Sequence, residues 1–441
     1  MFYNLKYLHL NKLYEAKLKC LNTSSDEKKI IFQIIKFNHQ WNYCSKNILF
    51  YKNLKKKYDL PSFISSLSEL KNFPKLNKQY LKENYDDILV DYKNSNFTLT
   101  GGTSGEISSF PTAYINEEQN FINKMICKNW INSSNKDKTL YIWGHSHKFG
   151  NNKIKKKIKT FWNYIKDIDQ KRHRYNAYDM SEENLKNIHI AIQKKNFDII
   201  FSYGSTFEIL ARYLKNINFV YKKKIKLIFT SENITKECVL IIKEIFINCQ
   251  IIGEYGMAET GIIGYSIDNI NRYRIIWTDF IIQNEHEDIT ITEISNKQFP
   301  LINYYPDDKL ILEDLNQQDT HFYISGLKGK TRPFFICNFS DDTKKKISLI
   351  IFDHICKNIK GMLSLQYYID GKNLNLIYTG KIENKIIYRA INDYFKKNLN
   401  NINILRTIRP IKTVSGKLKT IIDEKDFGDI KNSLKLSQSN F

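Results

Sequence analysis

From residue 1 to about 95 the apolar residues recur at mixed spacings of three and four, as in IIFQIIKFNHQWNY (30–43) and FISSLSELKNF (63–73). That spacing lines one face of an α-helix, so this stretch is expected to be mostly helical. The texture then changes to short β-rich runs that give out into Gly, Ser or Thr: FTLTGG (97–102), TLYIWG (139–144), FDIIFSYG (197–204), IKLIFTSE (225–232) and CQIIGEYG (249–256). Helical patterns lie between them, SEENLKNIHIAIQKKN (181–196) and TFEILARYLKN (206–216). Ser181 opens the first of these as in a capping box, with Asn184 where Glu or Gln is preferred. Strands alternating with helices at this spacing predict parallel sheets in an α/β sandwich, with ligands at the C-terminal ends of the strands.

After about residue 270 strand follows strand: RYRIIWTDF (272–280), DITITEI (288–294), LINYY (301–305), KLILEDL (309–315) and HFYISG (321–326). GLKGKTRP (326–333) interrupts the pattern with two glycines and a proline and reads as a hinge. Beyond it, LSLQYYIDGKNLNLIYTGK (363–381) predicts a hairpin turning at Asp370-Gly371, and KIIYRAINDYFKKNL (385–399) a helix. The expected fold class is therefore α/β. A large N-terminal α/β domain with parallel sheets and a β-rich portion spans 1–325, and a small α+β C-terminal domain spans 326–441.

Composition narrows the class of protein. With 441 residues and 42% hydrophobic content the chain can bury a large core. No run approaches the ~20 apolar residues of a membrane span, and charges interrupt the N-terminus throughout, so a cytoplasmic protein is expected. The seven cysteines are scattered without a CxxC pair and read as free, mostly buried thiols. The formal charge of +22 raises the question of a polyanionic partner. The triplets Lys55–Lys57, Lys155–Lys157, Lys222–Lys224 and Lys344–Lys346 are spread along the chain, however, and no RNP-like or zinc-finger pattern accompanies them. A chain this rich in Lys, Asn, Ile and Tyr carries such charge as background, and no specific nucleic-acid partner is expected.

Residues with chemical potential gather at the strand ends. Thr100, Gly101, Gly102, Thr103, Ser104 and Gly105 form a cradle of hydroxyls and accessible backbone N–H groups suited to phosphate, although such a cluster also makes an ordinary turn. It lacks the Walker spacing, and Glu106 follows it. Glu254–Gly261 offers an aromatic, a glycine and a carboxylate that could stack a base and hold a cation, or could be a plain strand exit. In Tyr304-Tyr305-Pro306-Asp307-Asp308 the paired acids could accept hydrogen bonds from a ribose or make a solvated turn. His145 and His147 would share one face of a strand, open to a metal or an acyl group, but a solvent-facing loop is the reading preferred for them. A lone Lys417 on the Ser-Gly corner of RPIKTVSGKLK would mean nothing by itself.

Taken in order, these segments resemble the adenylate-forming superfamily, specifically its phenylacetate-CoA ligase-like branch. TGGTSGE is similar to that family's TSGTTGK loop, EYGMAETG to its YGxTE segment, NYYPDD to its RYxTGD segment, and KTVSGKLKTII to its closing TxSGKxRxVI segment. The similarity runs from about residue 70 to the C-terminus and, with Trp143-Gly144, is most like the ligases of bacterial polysaccharide clusters. The resemblance implies that Thr100, Thr103 and Ser104, with Gly101, Gly102 and Gly105, bind the phosphates of ATP. It implies further that Tyr255, beside Gly256, stacks on adenine, that Glu259 holds Mg2+, that Asp308 binds the ribose, and that Lys417 is the catalytic lysine of a mobile small domain. A carboxylic acid would be activated as its adenylate and passed to an acceptor, either the thiol of coenzyme A or an amine. The chain departs from the pattern at Glu106, Ala258, Asp307 and Leu327, where the family has lysine, a hydroxyl residue, glycine and arginine. A catalytically degenerate scaffold and a basic nucleic-acid-binding protein are the alternatives.

Overall fold

The structure is a computed structural model. It describes residues 10–23, 25–90, 95–101, 107–143, 165, 167–177, 180–257, 259–285, 287–306, 308–310, 322–328, 334–356, 359, 361–371, 373–412 and 418–430. The chain divides into two compact units, each assembled from separate stretches of sequence. One takes Met1–Thr100, Ser108–Asp137 and Ile252–Lys330; the other takes Gly101–Ile107, Lys138–Ile251 and Thr331–Phe441.

In the first unit the helical N-terminus is as its periodicity predicts, with helices Asn11–Thr23, Asp26–Asn47 and Leu49–Lys57. Ser25 caps the longest of these by accepting the Lys28 N–H, and Asp26 and Glu27 favour its first turn. Phe37, Trp41, Tyr51, Leu54 and Leu70 are buried together with Ile281, Ile294, Leu301 and Tyr304, so the helices are held by β-structure from much later in the chain. Three buried side-chain hydrogen bonds reinforce that contact: Gln33 Nε2 to the carbonyl of Trp277, Gln283 Nε2 to that of Leu67, and the Tyr51 hydroxyl to that of Pro300. The later strands form a six-stranded sheet in the order Leu76–Asn77, Tyr304–Tyr305, Asp288–Glu293, Lys309–Leu310, Leu327–Lys328, with Phe280–Glu285 also paired to Asp288–Glu293.

Two of the expected strands are shorter than their apolar runs. LINYY contributes only Tyr304–Tyr305, because Asn303 takes a left-handed φ of 51° and breaks the extension while Leu301 and Ile302 stay buried. RYRIIWTDF stops at Ile275 and turns before Phe280 resumes, with the Asp279 N–H donating to the carbonyl of Ile276. In that turn the Asp279 carboxylate is buried and accepts from Lys17 Nζ at 2.6 Å, Gln119 Nε2 at 2.6 Å and Asn123 Nδ2 at 2.9 Å. Leu327–Lys328, at the start of the expected hinge, pairs with Lys309–Leu310, and 329–333 lie outside the described residues.

The second unit contains the parallel strands Arg172–Asn176, Thr139–Trp143, Ile199–Tyr203 and Ile225–Thr230, in that spatial order, and the start of Cys249–Met257. Helices Glu182–Lys195, Gly204–Asn216 and Lys236–Ile245 connect them. Leu140, Ile142, Ile200 and Leu227 are buried on one face of these strands. Register sets Tyr141 and Trp143 beside Phe201 and Tyr203 on the other, where the rings of Trp143 and Tyr203 stack at 4.1 Å. Strands covered on both sides are what a parallel sheet requires. The same unit holds the C-terminal sheet: Met362–Asp370 and Asn373–Gly380 form the expected hairpin, Ile402–Arg406 adds in parallel, and helix Asn384–Phe395 packs on it. The architecture is thus mixed α/β with parallel strands, as expected, and all seven cysteines are free, five of them buried. Among the described residues no helix is long and apolar enough to cross a membrane.

Candidate functional site

Strand Cys249–Met257 carries Tyr255 and Gly256, and returns as Gly261–Asn269 with a shift of register between those two residues. The return is so close that a Cβ on Gly256 would sit 2.5 Å from the carbonyl oxygen of Gly261, so the position admits only glycine. Tyr255 is buried, its ring 5.9 Å from that of Tyr273, and its hydroxyl donates to Asp308 Oδ2 at 3.0 Å. Tyr304, also buried, donates to Glu259 Oε1 at 3.4 Å, and Lys78 Nζ lies 3.4 Å from the same oxygen. Burial, and then the neighbouring carboxylates, push both phenols well above their ordinary range, so they remain protonated donors.

Three segments far apart in sequence thus converge within the first unit: Tyr255 and Gly256 with Glu259, Tyr304 with Asp308, and Lys78. The arrangement supplies two carboxylates held by phenol donors, one ammonium and a close backbone corner. The Glu259 side chain is 6% exposed and offers a hard oxygen donor. Among the described residues there is no group of three or more His, Cys, Asp or Glu able to cage a metal.

Thr100 and Gly101 end strand Ser95–Gly101, which pairs with Ile107–Ala113. Gly102, Thr103, Ser104, Gly105 and Glu106 between them lie outside the described residues, as do His145, His147, Ala258, Asp307 and Lys417. Residues 413–417 lie outside the described residues, and the second unit holds Lys412 before them and Leu418 after them. Lys412 and Leu418 form an isolated antiparallel bridge, and the buried Gln366 amide ties the two stretches of chain together. Its Nε2 donates to the carbonyls of Ile411 at 2.8 Å and Lys419 at 2.7 Å, and its Oε1 accepts the Ile411 N–H. Lys412 Nζ donates to Thr206 Oγ1 at 3.2 Å in the first turn of helix Gly204–Asn216. Burial pulls its amine down to about 8, against the opposing pull of Glu232.

Sequence reasoning assigned no role to Tyr304, Lys78, Lys412 or Gln366. A signal for Lys78 existed in Asn77, whose side chain accepts the Tyr80 N–H and starts a helix there. The parallel pairing of Leu76 with Tyr304 and Asn77 with Tyr305, which brings Lys78 to the site, had no local signature.

The fold is that of the adenylate-forming ligases. A 2-hydroxyisobutyryl-CoA ligase in the postadenylation state, in complex with R3-HIB-AMP, matches with a TM-score of 0.62 at 11% identity, over 94% of this chain and 94% of that one. The same ligase with 2-HIB-AMP and CoA in its thioesterification state matches with a TM-score of 0.55 at 12% identity, again over 94% of each chain. In sequence, Protein CapK of Staphylococcus aureus is 22% identical over 411 residues, 90% of this chain and 85% of its own length. No family model matches the sequence.

Proposed function

We propose that this protein joins ATP to a carboxylic acid, releasing pyrophosphate, and then passes the acyl group to the thiol of coenzyme A or to an amine, such as that of a sugar. The observation that carries this reading is the convergence of Tyr255, Glu259, Tyr304 and Asp308 within a chain of adenylate-forming ligase fold. In the first half-reaction a carboxylate oxygen bonds to the α-phosphorus and the bond from that phosphorus to the bridging oxygen of pyrophosphate breaks. In the second, the acceptor attacks the acyl carbon, loses its proton, and AMP departs. The protein contributes mainly position and charge.

In this reading Asp308, fixed by the Tyr255 hydroxyl, accepts from the ribose hydroxyls, and Tyr255 and Gly256 border the adenine. The glycine- and threonine-rich loop from Thr100 to Gly105 holds the phosphates. Glu259 fits Mg2+ as a single hard carboxylate whose partners would be phosphate oxygens, and the ion when bound would offset charge on the triphosphate. Lys417 is assigned the charge between carboxylate and α-phosphate, and 326–441 the part of the chain that moves between half-reactions. The similarity in sequence order to the phenylacetate-CoA ligase-like branch supports a cytoplasmic role in surface polysaccharide synthesis.

The test is pyrophosphate exchange into ATP across a panel of aryl, acylamino and sugar carboxylic acids. Exchange dependent on one acid and on magnesium is expected. Glu259→Gln should reduce it by about a hundredfold or more with little change in thermal midpoint. No exchange with any acid, or full activity of Glu259→Gln across a magnesium titration, counts against the reading.

A further inference from the structure

A nucleoside triphosphate is a polyanion, yet Thr100–Gly105 contains no cationic side chain, Glu106 follows it, and Glu259 and Asp308 are acidic. Phosphate recognition on these residues alone would set like charge against like charge. Among the described residues, an ammonium that reaches Glu259 comes from outside the segments that point to nucleotide. Lys78 approaches Glu259 Oε1 to 3.4 Å from the N-terminal region.

Its position is built by two local constraints. Leu76–Asn77 runs parallel to Tyr304–Tyr305, which fixes the backbone immediately before Lys78 beside the strand whose Tyr304 hydroxyl also reaches Glu259 Oε1. Asn77 then caps the turn through the Tyr80 N–H at 2.8 Å, which sets the direction in which the chain leaves. Burial differs sharply within the pair: the Glu259 side chain is 6% exposed and that of Lys78 34%. The carboxylate is therefore enclosed while the ammonium keeps access to solvent, and the flexible lysine stem lets its three N–H donors turn to a ligand.

We propose that Lys78 is a phosphate-binding residue of the nucleotide site, neutralising Glu259 in the empty protein and donating to the β- and γ-phosphates when MgATP enters. This rests on the adenylating function proposed above. As the cation takes the Glu259 carboxylate, the ammonium is released to the phosphate oxygens, so both the carboxylate and the phosphates keep a positive partner. The competing role, a lysine that only compensates a buried carboxylate, makes the opposite prediction. Removing it would then leave MgATP binding unchanged or tighter, because the cation would meet no competitor.

The experiment uses the full chain and needs no acid substrate. Affinities for MgATP and for AMP are measured by calorimetry for the wild type, Lys78→Met and Lys78→Arg, with thermal midpoints alongside. Expected are a loss of ~10-fold or more in MgATP affinity for Lys78→Met, largely restored in Lys78→Arg, and AMP affinity within about twofold throughout. Unchanged or tighter MgATP binding by Lys78→Met overturns the proposal, as does an equal loss for AMP, which would mark a general effect on site shape. A wild type that binds neither nucleotide overturns the adenylating function itself, an outcome distinct from a wild type that binds MgATP while Lys78→Met binds it equally well.

Discussion

Glu293 is a buried carboxyl in the first unit, and burial pushes it up to about 8. The Asn296 amide, which donates to Oε2 at 3.1 Å, and the Lys17 ammonium work against that shift, while the Asp279 carboxylate adds to it. A carboxyl raised in the folded state keeps a proton that the unfolded chain has already released. Between the ordinary glutamate range and pH 8 the folded form therefore binds more protons than the unfolded, and stability falls as pH rises through that window. Above pH 8 the penalty is complete. Glu293→Gln keeps the acceptor for Asn296 and removes the charge. It should raise the melting midpoint by about 2–4 °C at pH 8.5 and by much less at pH 5. Scanning calorimetry at the two pH values checks this, and an equal shift at both would contradict the protonation argument.

At the scale of elements, the return of Gly261–Asn269 against Cys249–Met257 depends on a missing Cβ. Gly256→Ala would place a methyl 2.5 Å from a backbone oxygen that no side-chain rotation can move, so a loss of ~2 kcal/mol or more is expected, with weaker nucleotide binding because Tyr255 precedes it. Gly371→Ala, at the C-terminal hairpin turn with φ +54° and nothing within 4 Å of the added carbon, should lose only ~1 kcal/mol of backbone preference. Denaturant midpoints of the two variants provide the comparison, and equal losses would remove the steric argument. The same strands show what local sequence encodes. The β-rich runs TLYIW and IIFSY, and the Asp370-Gly371 turn, were readable because strand composition and turn chemistry are properties of a few neighbouring residues. So was the cap at Ser181, although only half of a box forms: Ser181 accepts the Asn184 N–H, and the Asn184 amide turns instead to the carbonyl of Asn176. The short pairing of Leu76–Asn77 with Tyr304–Tyr305 was not readable, since two residues carry no period and the partner lies more than two hundred positions away. Lys78 was overlooked for that reason. Tyr304 was hidden differently, because nothing in a Tyr-Tyr-Pro turn says which ring points inward.

Across the whole molecule, a formal charge of +22 invites a polyanion, yet the lysines are dispersed and many are matched locally, as Lys215 is by Glu244 and Lys381 by Glu182. Exposed pairs of this kind add little stability, and they thin the net field. Binding to mixed-sequence DNA or RNA at physiological salt should be no tighter than about micromolar, as fluorescence anisotropy would record, and sub-nanomolar sequence-selective binding would reopen the nucleic-acid alternative. The construction of the first unit from distant stretches of chain matters before the protein is ever finished. The Tyr51 hydroxyl waits for the carbonyl of Pro300, 249 positions downstream, and Phe37, Trp41 and Leu54 wait for Ile281, Ile294 and Leu301. At ~5–20 residues per second, a ribosome needs on the order of 10–50 s to supply those partners. For that interval the nascent N-terminal helices emerge with an uncovered oily stripe, which makes holdase chaperones their natural companions and the speed of translation a determinant of yield.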